Sequence, residues 1–147
     1  MRGYWNRPLE TAAVLDNGWL YTGDVAIMDA DGFFQIVDRQ KDVIITGGEN
    51  IYPREIEEVL YTHPKIAEAA VVGVAHAVAG QVAKAFIVVK PGETLDRREV
   101  LQFTAERLAK YKQPRVVEFR DALPKAGTGK ILKRELVAKE RTAEEEE

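Results

Sequence analysis

The sequence predicts a small α+β domain, on three observations. Short apolar and β-branched runs alternate with apolar residues at helical spacing, in the order β-β-β-α-β-β-α-β-α. Gly, Pro and charged clusters punctuate the joins between them. The 147 residues, 46% apolar, are enough chain for one domain with its own core.

Up to Gly23-Asp24 the chain is rich in Gly, Pro, Asn and aromatics without a sustained period. It is expected to be irregular, ending in a short strand around Trp19-Leu20-Tyr21, like the tail of something larger. Ala26-Ile27-Met28 and Phe33-Phe34-Gln35-Ile36-Val37, joined through Asp29-Ala30-Asp31-Gly32, read as a hairpin. The charged stretch Asp38-Arg39-Gln40-Lys41-Asp42 then predicts an exposed crossing into a short buried strand, Val43-Ile44-Ile45. A helix is expected from Pro53, which suits the first helical position, with Ile56, Val59 and Leu60 on one face and Pro64 ending it. Ala67 to Val74 and Ala83 to Val89 read as strands. Asp96 and Glu99 have the spacing of a capping box ahead of a helix carrying Val100, Leu101, Thr104 and Leu108, which must end before Pro114. Val116 to Phe119 is a short strand, and Ile131, Leu132 and Leu136 open a last helix.

Composition excludes several functions. Acidic residues number 24 against 21 basic, but Glu144 to Glu147 supply four of them, so the body carries 21 − 20 = +1, without the basic bias that duplex binding needs. No nucleic-acid partner is expected, and the Glu run reads as a solvated tail. With no cysteine there is neither a redox pair nor a thiolate zinc site, and a reducing compartment such as the cytoplasm is the expected setting. The longest apolar run, Ala69 to Ala75, is seven residues, too short for a bilayer, and the first residues lack an apolar signal core.

Two glycine-bearing loops could carry chemistry. In Pro124-Lys125-Ala126-Gly127-Thr128-Gly129-Lys130-Ile131, glycines deliver a lysine just before a helix, an arrangement suited to an anion and equally to an ordinary turn. It is not a Walker A loop, because Pro124 and Ile131 stand where that motif needs Gly and Ser or Thr. Ile45-Thr46-Gly47-Gly48-Glu49-Asn50-Ile51-Tyr52-Pro53 reads as a strand-to-helix loop that would let a narrow ligand lie against bare backbone, or simply as a tight connection. Asp24 offers two acceptors to a vicinal diol or caps a turn, and Arg39 is a ligand cation or a solvated charge. His63 and His76 lack metal-ligand spacing and are expected to be structural or at the surface, with no metal site. No Gly-x-Ser-x-Gly elbow or His-Glu-x-x-His helix occurs.

Taken in order, Gly3-Tyr4-Trp5-Asn6, Gly18-Trp19-Leu20-Tyr21-Thr22-Gly23-Asp24, Asp38-Arg39-Gln40-Lys41-Asp42, Gly47-Gly48-Glu49-Asn50-Ile51-Tyr52-Pro53 and the lysine loop continued by Leu132-Lys133-Arg134-Glu135-Leu136 resemble the C-terminal part of the adenylate-forming acyl-CoA synthetases. The resemblance implies a ligase that joins a carboxylate to ATP, with Mg2+ accompanying the ATP, and passes the acyl group from the adenylate to coenzyme A. It implies Lys130 as the adenylation catalyst, Asp24 and Arg39 as ribose contacts, Asp38 with Lys41 as the hinge, and Gly47, Gly48 and Glu49 on the coenzyme A side. Residues 1–37 would then be the end of a large N-terminal adenylation domain, the missing partner, 38–140 the C-terminal lid and 141–147 an acidic disordered tail. Fatty acids are the expected substrates. A stand-alone regulatory lid, an aryl-CoA ligase lid and a module that loads carrier proteins are the alternatives, although Asn50-Ile51-Tyr52-Pro53 looks more like the CoA ligases. Val74-Ala75-His76-Ala77-Val78-Ala79-Gly80-Gln81 departs from the family pattern, which commonly carries acidic residues there, one just after the glycine. The open edge of the leading hairpin is also an expected route to self-association.

Overall fold

The structure, a computed structural model, describes residues 1–138, so the expected acidic tail over 141–147 lies outside the described residues. The chain forms two compact units that divide between Lys41 and Asp42.

The first unit differs from the expectation at its start. Instead of irregular chain, Pro8–Val14 forms helix α1, with Pro8 in its first turn and Thr11 Oγ1 donating to Arg7 O at 2.7 Å. None of its residues is buried, so it carries no apolar stripe by which periodicity could have found it. Strands β1 (Leu15–Asp16) and β2 (Trp19–Leu20) then pair around Asn17-Gly18, whose φ values of 49° and 83° are those of a two-residue hairpin turn. The predicted hairpin is present as antiparallel β3 (Asp24–Met28) and β4 (Phe34–Arg39). Its loop is organised by Asp29, whose Oδ1 accepts from Asp31 N at 3.0 Å and Phe33 N at 2.9 Å. Strand β4 continues through Asp38 and Arg39, and the charged stretch becomes a 3-10 turn only at Gln40–Asp42. Asp38 is the single buried residue of this unit.

The second unit is a five-stranded sheet built on β8 (Gly80–Val89). On one side β8 pairs along its length with antiparallel β7 (Ile66–His76). On the other it meets β5 (Ile44–Thr46) at Gly80 and parallel β9 (Val116–Phe119) from Lys84 to Ile87. Alternate residues therefore face opposite ways, and both faces are covered. Ala69, Val71, Ala85 and Ile87 pack with Ile56 and Leu60 of α2 (Pro53–Tyr61) and Val100 of α3 (Arg97–Ala105). Ala70, Val72 and Phe86 pack with Leu123 and with Leu136 of α4, the helical segment at 133–138.

Two expectations need correcting. Val43-Ile44-Ile45 is not a fully buried strand: Ile44 is in the core but Ile45 is 55% exposed, because β5 has a core on one face only. The Gly47-Gly48 segment is not a strand-to-helix loop, since a further strand β6 (Glu49–Ile51) pairs back onto β5 before α2 begins. The capping box at α3 forms by half: Asp96 Oδ1 accepts from Glu99 N at 2.8 Å, while the Glu99 carboxylate turns to Lys65 Nζ at 2.9 Å. Strand β7 lies at the sheet edge, where α2 covers it: Glu57 Oε1 accepts from Val71 N at 2.7 Å and Tyr61 OH donates to Ala69 O at 3.2 Å.

Ile56 has no exposed surface and sits where α2 meets the sheet. Ile56→Ala is expected to cost about 2–5 kcal/mol, read as a lower urea midpoint at unchanged m-value.

Candidate functional site

The lysine loop is a short hairpin of its own. Lys125 and Ile131 form an antiparallel bridge, Ala126 N donates to Lys130 O and Gly129 N to Ala126 O, both at 2.8 Å, and Leu132 N donates to Pro124 O at 2.8 Å. Leu123 and Ile131 pack against the Phe86 side of the sheet and fix the loop's base. Of the three lysines between 125 and 133, two are tied down. Lys125 pairs with Glu68 on β7, and Lys133 Nζ lies 2.8 Å from Glu57 Oε1, the carboxylate that also caps Val71 N. Lys130 is exposed and makes no ion pair or hydrogen bond through its side chain among the described residues. The loop thus presents one ammonium outward on a braced stem, an arrangement able to meet an anion without first breaking an ion pair.

The second predicted loop is the β5–β6 turn. Gly47 and Gly48 have φ of 57° and 90°, the doubly left-handed geometry of a two-residue hairpin that glycine adopts at no steric cost. A Cβ at either position would meet nothing within 4 Å, so the turn offers bare, open backbone. Glu49 follows as an exposed residue paired across the turn with Thr46. The turn sits beside the β7–β8 connection, with Gly47 N donating to Ala79 O at 2.9 Å. No hydrogen bond or ion pair among the described residues joins it to the lysine loop.

In the first unit the sheet brings Asp24 and Arg39 together as directly opposed residues, with Arg39 Nε 3.4 Å from Asp24 Oδ1. Neighbouring Asp38 is buried and its Oδ1 accepts from Arg39 N at 2.8 Å. Lys41 is exposed in the 3-10 turn at the junction of the units.

The two histidines are structural. His63 is buried edge-on to Phe103, centroids 4.6 Å apart, and its Nδ1 accepts from Lys65 N at 3.2 Å; His76 Nδ1 accepts from Ala79 N at 3.2 Å. No group of three or more His, Cys, Asp or Glu among the described residues could hold a metal ion. Sequence reading missed the braces of the lysine loop, Glu57 and Glu68, because their partners lie far along the chain. It also missed a cluster in which Glu118 accepts from Lys84 at 2.8 Å and Arg120 at 2.6 Å, both cations lying over the Phe86 ring.

The chain belongs to the AMP-binding enzyme C-terminal domain family, whose profile matches residues 55–130, from α2 to the lysine itself. Among its relatives, the long-chain-fatty-acid–CoA ligase of Bacillus subtilis is 55% identical over 140 residues, covering 95% of this chain and 25% of that ligase. Feruloyl-CoA synthase of an Amycolatopsis species is 52% identical over 136 residues, covering 92% of this chain and 28% of the synthase. The solved structure of ATP-bound MatB from Rhodopseudomonas palustris superposes at a TM-score of 0.86 with 38% identity, over 94% of this chain and 28% of MatB. The chain spans about a quarter of the length of the curated relatives it matches. No helix among the described residues is long and apolar enough to cross a membrane.

Burial holds the His63 imidazole below its ordinary value, against the opposing pull of Glu99. The unfolded chain therefore binds the His63 proton first, and stability falls as the pH drops below about 6.5 towards the depressed native value. Burial pushes the Glu118 carboxyl up, but hydrogen bonds from Lys84 and Arg120 outweigh it and leave the group lowered, so its share of stability is lost only at more acid pH. Urea midpoints across this range are expected to fall less steeply with acidification in His63→Gln than in the parent chain.

Proposed function

We propose that the chain is the mobile C-terminal lid of an ATP-dependent acyl-CoA ligase and that Lys130 is its adenylation residue. The observation that carries this reading is a contrast along one short stretch: Lys125 and Lys133 are neutralised by Glu68 and Glu57, while Lys130 between them has no side-chain partner among the described residues. In the first half-reaction a carboxylate oxygen bonds to the α-phosphorus of ATP as the bond to the bridging oxygen breaks and pyrophosphate leaves. Negative charge gathers on the transferring phosphoryl group. A cation delivered there stabilises the transition state more than the ground state.

Asp24 and Arg39, opposed on one hairpin, supply a carboxylate for the ribose hydroxyls and a cation beside it. Rotation about Asp38 and Lys41 then withdraws Lys130 and advances Gly47, Gly48 and Glu49 towards coenzyme A. In the second half-reaction the coenzyme A sulfur bonds to the acyl carbon, its proton is lost to solvent and AMP leaves. Mg2+ accompanies ATP as part of the substrate, bound with it at the large N-terminal domain. That domain is the partner. Support for it comes from the first unit, where Trp19, Ile27, Phe33 and Phe34 are each more than half exposed, an apolar surface that a larger neighbour would cover.

Fatty acids are the leading substrate class, supported by the 55% identity to a long-chain-fatty-acid–CoA ligase. The 52% identity to a feruloyl-CoA synthase supports an aromatic acid as the second reading. The cytoplasm, which supplies ATP and coenzyme A, is the setting proposed.

In the full-length ligase, Lys130→Ala is expected to slow pyrophosphate release about 10²–10³-fold, with acyl transfer from supplied adenylate nearly unchanged. Equal loss in both steps would contradict the role. The 147-residue chain alone, given ATP, coenzyme A and a panel of fatty and aromatic acids, is expected to release no pyrophosphate; robust turnover would overturn the lid reading.

A further inference from the structure

We infer that Gln81 is a positioning residue for the thioester half-reaction, its side-chain amide holding the Gly47-Gly48 turn in place. The inference rests on the placement of that turn on the coenzyme A side proposed above.

Strand β5 meets β8 through a single rung, Thr46 opposite Gly80. Further along, that side of β8 is occupied by β9 from Lys84 onward. The Ile45 N–H therefore has no strand partner on the β8 side, and Gln81 Oε1 accepts from it at 3.1 Å. A side chain thus supplies the missing rung. Two further bonds hold the same hairpin tip, Thr46 Oγ1 to Gln81 O at 2.8 Å and Gly47 N to Ala79 O at 2.9 Å. Both use only the main chain of 79–81, so any residue at position 81 would preserve them. The Ile45 bond alone depends on what residue 81 is.

The sheet leaves room for this amide. A Cβ at Gly73 on β7 would come within 3.3 Å of Gln81 Cδ, Nε2 and Oε1. Packing does not do the work instead, since Ile45 is 55% exposed and Val78, at the tip of the β7–β8 connection, is 91% exposed. Water can satisfy the Ile45 N–H if the amide is removed, so the effect expected is on the placement of the tip rather than on survival of the fold.

The test is made in the full-length ligase, with the two half-reactions measured separately. Gln81→Ala is expected to lower kcat/KM for coenzyme A in transfer from supplied adenylate about tenfold, while adenylate formation stays within about twofold. Gln81→Glu, which keeps an oxygen acceptor at the same reach, restores transfer. In the 147-residue chain, amide exchange at Ile45 quickens in Gln81→Ala and slows again in Gln81→Glu. Parallel loss of both half-reactions, no rescue by Glu, or normal transfer in Gln81→Ala when Gly48→Val abolishes it would overturn the role of Gln81. Normal transfer in Gly48→Val would remove the reading of the glycine turn itself, and the inference with it.

Discussion

Strand β8 has two edges, and the way they are shared governs the unit that carries the lysine and glycine loops. One edge is paired along its length with β7; the other is divided between β5 at Gly80 and β9 from Lys84 to Ile87. Because β8 lies inside the sheet, its side chains alternate between two cores, with Ala83, Ala85 and Ile87 towards α2 and α3 and Phe86 towards Leu123 and Leu136. Burial of Ile87 on one face and of Phe86 on the other contributes about 1.5–3 kcal/mol each, so both layers are fastened to a single strand. The glycine turn hangs from one end of β8 through residues 79–81, and the lysine loop is rooted in the core beneath Phe86.

Both loops follow the same physical plan, a firm base and an unencumbered tip. Buried Ile44 and Ile51 anchor the β5–β6 hairpin, and nothing approaches the Cβ positions of its turn. Leu123 and Ile131 anchor the lysine hairpin, and Glu68 and Glu57 take up the charges on either side of Lys130. Pairing the flanking lysines places the outward positive charge of that stem at one residue of the three, while Arg134 of α4 remains exposed nearby.

Legibility in the sequence followed the range of the forces involved. Helix α2 could be read because Pro53 sets its start and Ile56 and Leu60 meet a core at helical spacing. The β3–β4 hairpin and strands β7 to β9 were readable from their apolar runs. Helix α1 was not, since none of its residues is buried, and β6 was hidden because a three-residue strand between Gly48 and Tyr52 carries too little pattern to show itself. Yet Gly-Gly and Asn-Gly are themselves turn signals, and they mark the β5–β6 and β1–β2 hairpins. The candidate residues stood out by chemical type; what holds them did not. Gln81 and Ile45 lie 36 positions apart, as Lys125 and Glu68 lie 57 apart, and no local rule links such pairs.

The glycine pair also limits how this protein can be redesigned. An L-residue with a side chain at either position must adopt left-handed backbone at about 1–2 kcal/mol, so enlarging the tip strains it even where space is free. The clearance around the turn is therefore set by main-chain geometry alone, and it can be narrowed only at the expense of the hairpin that carries it.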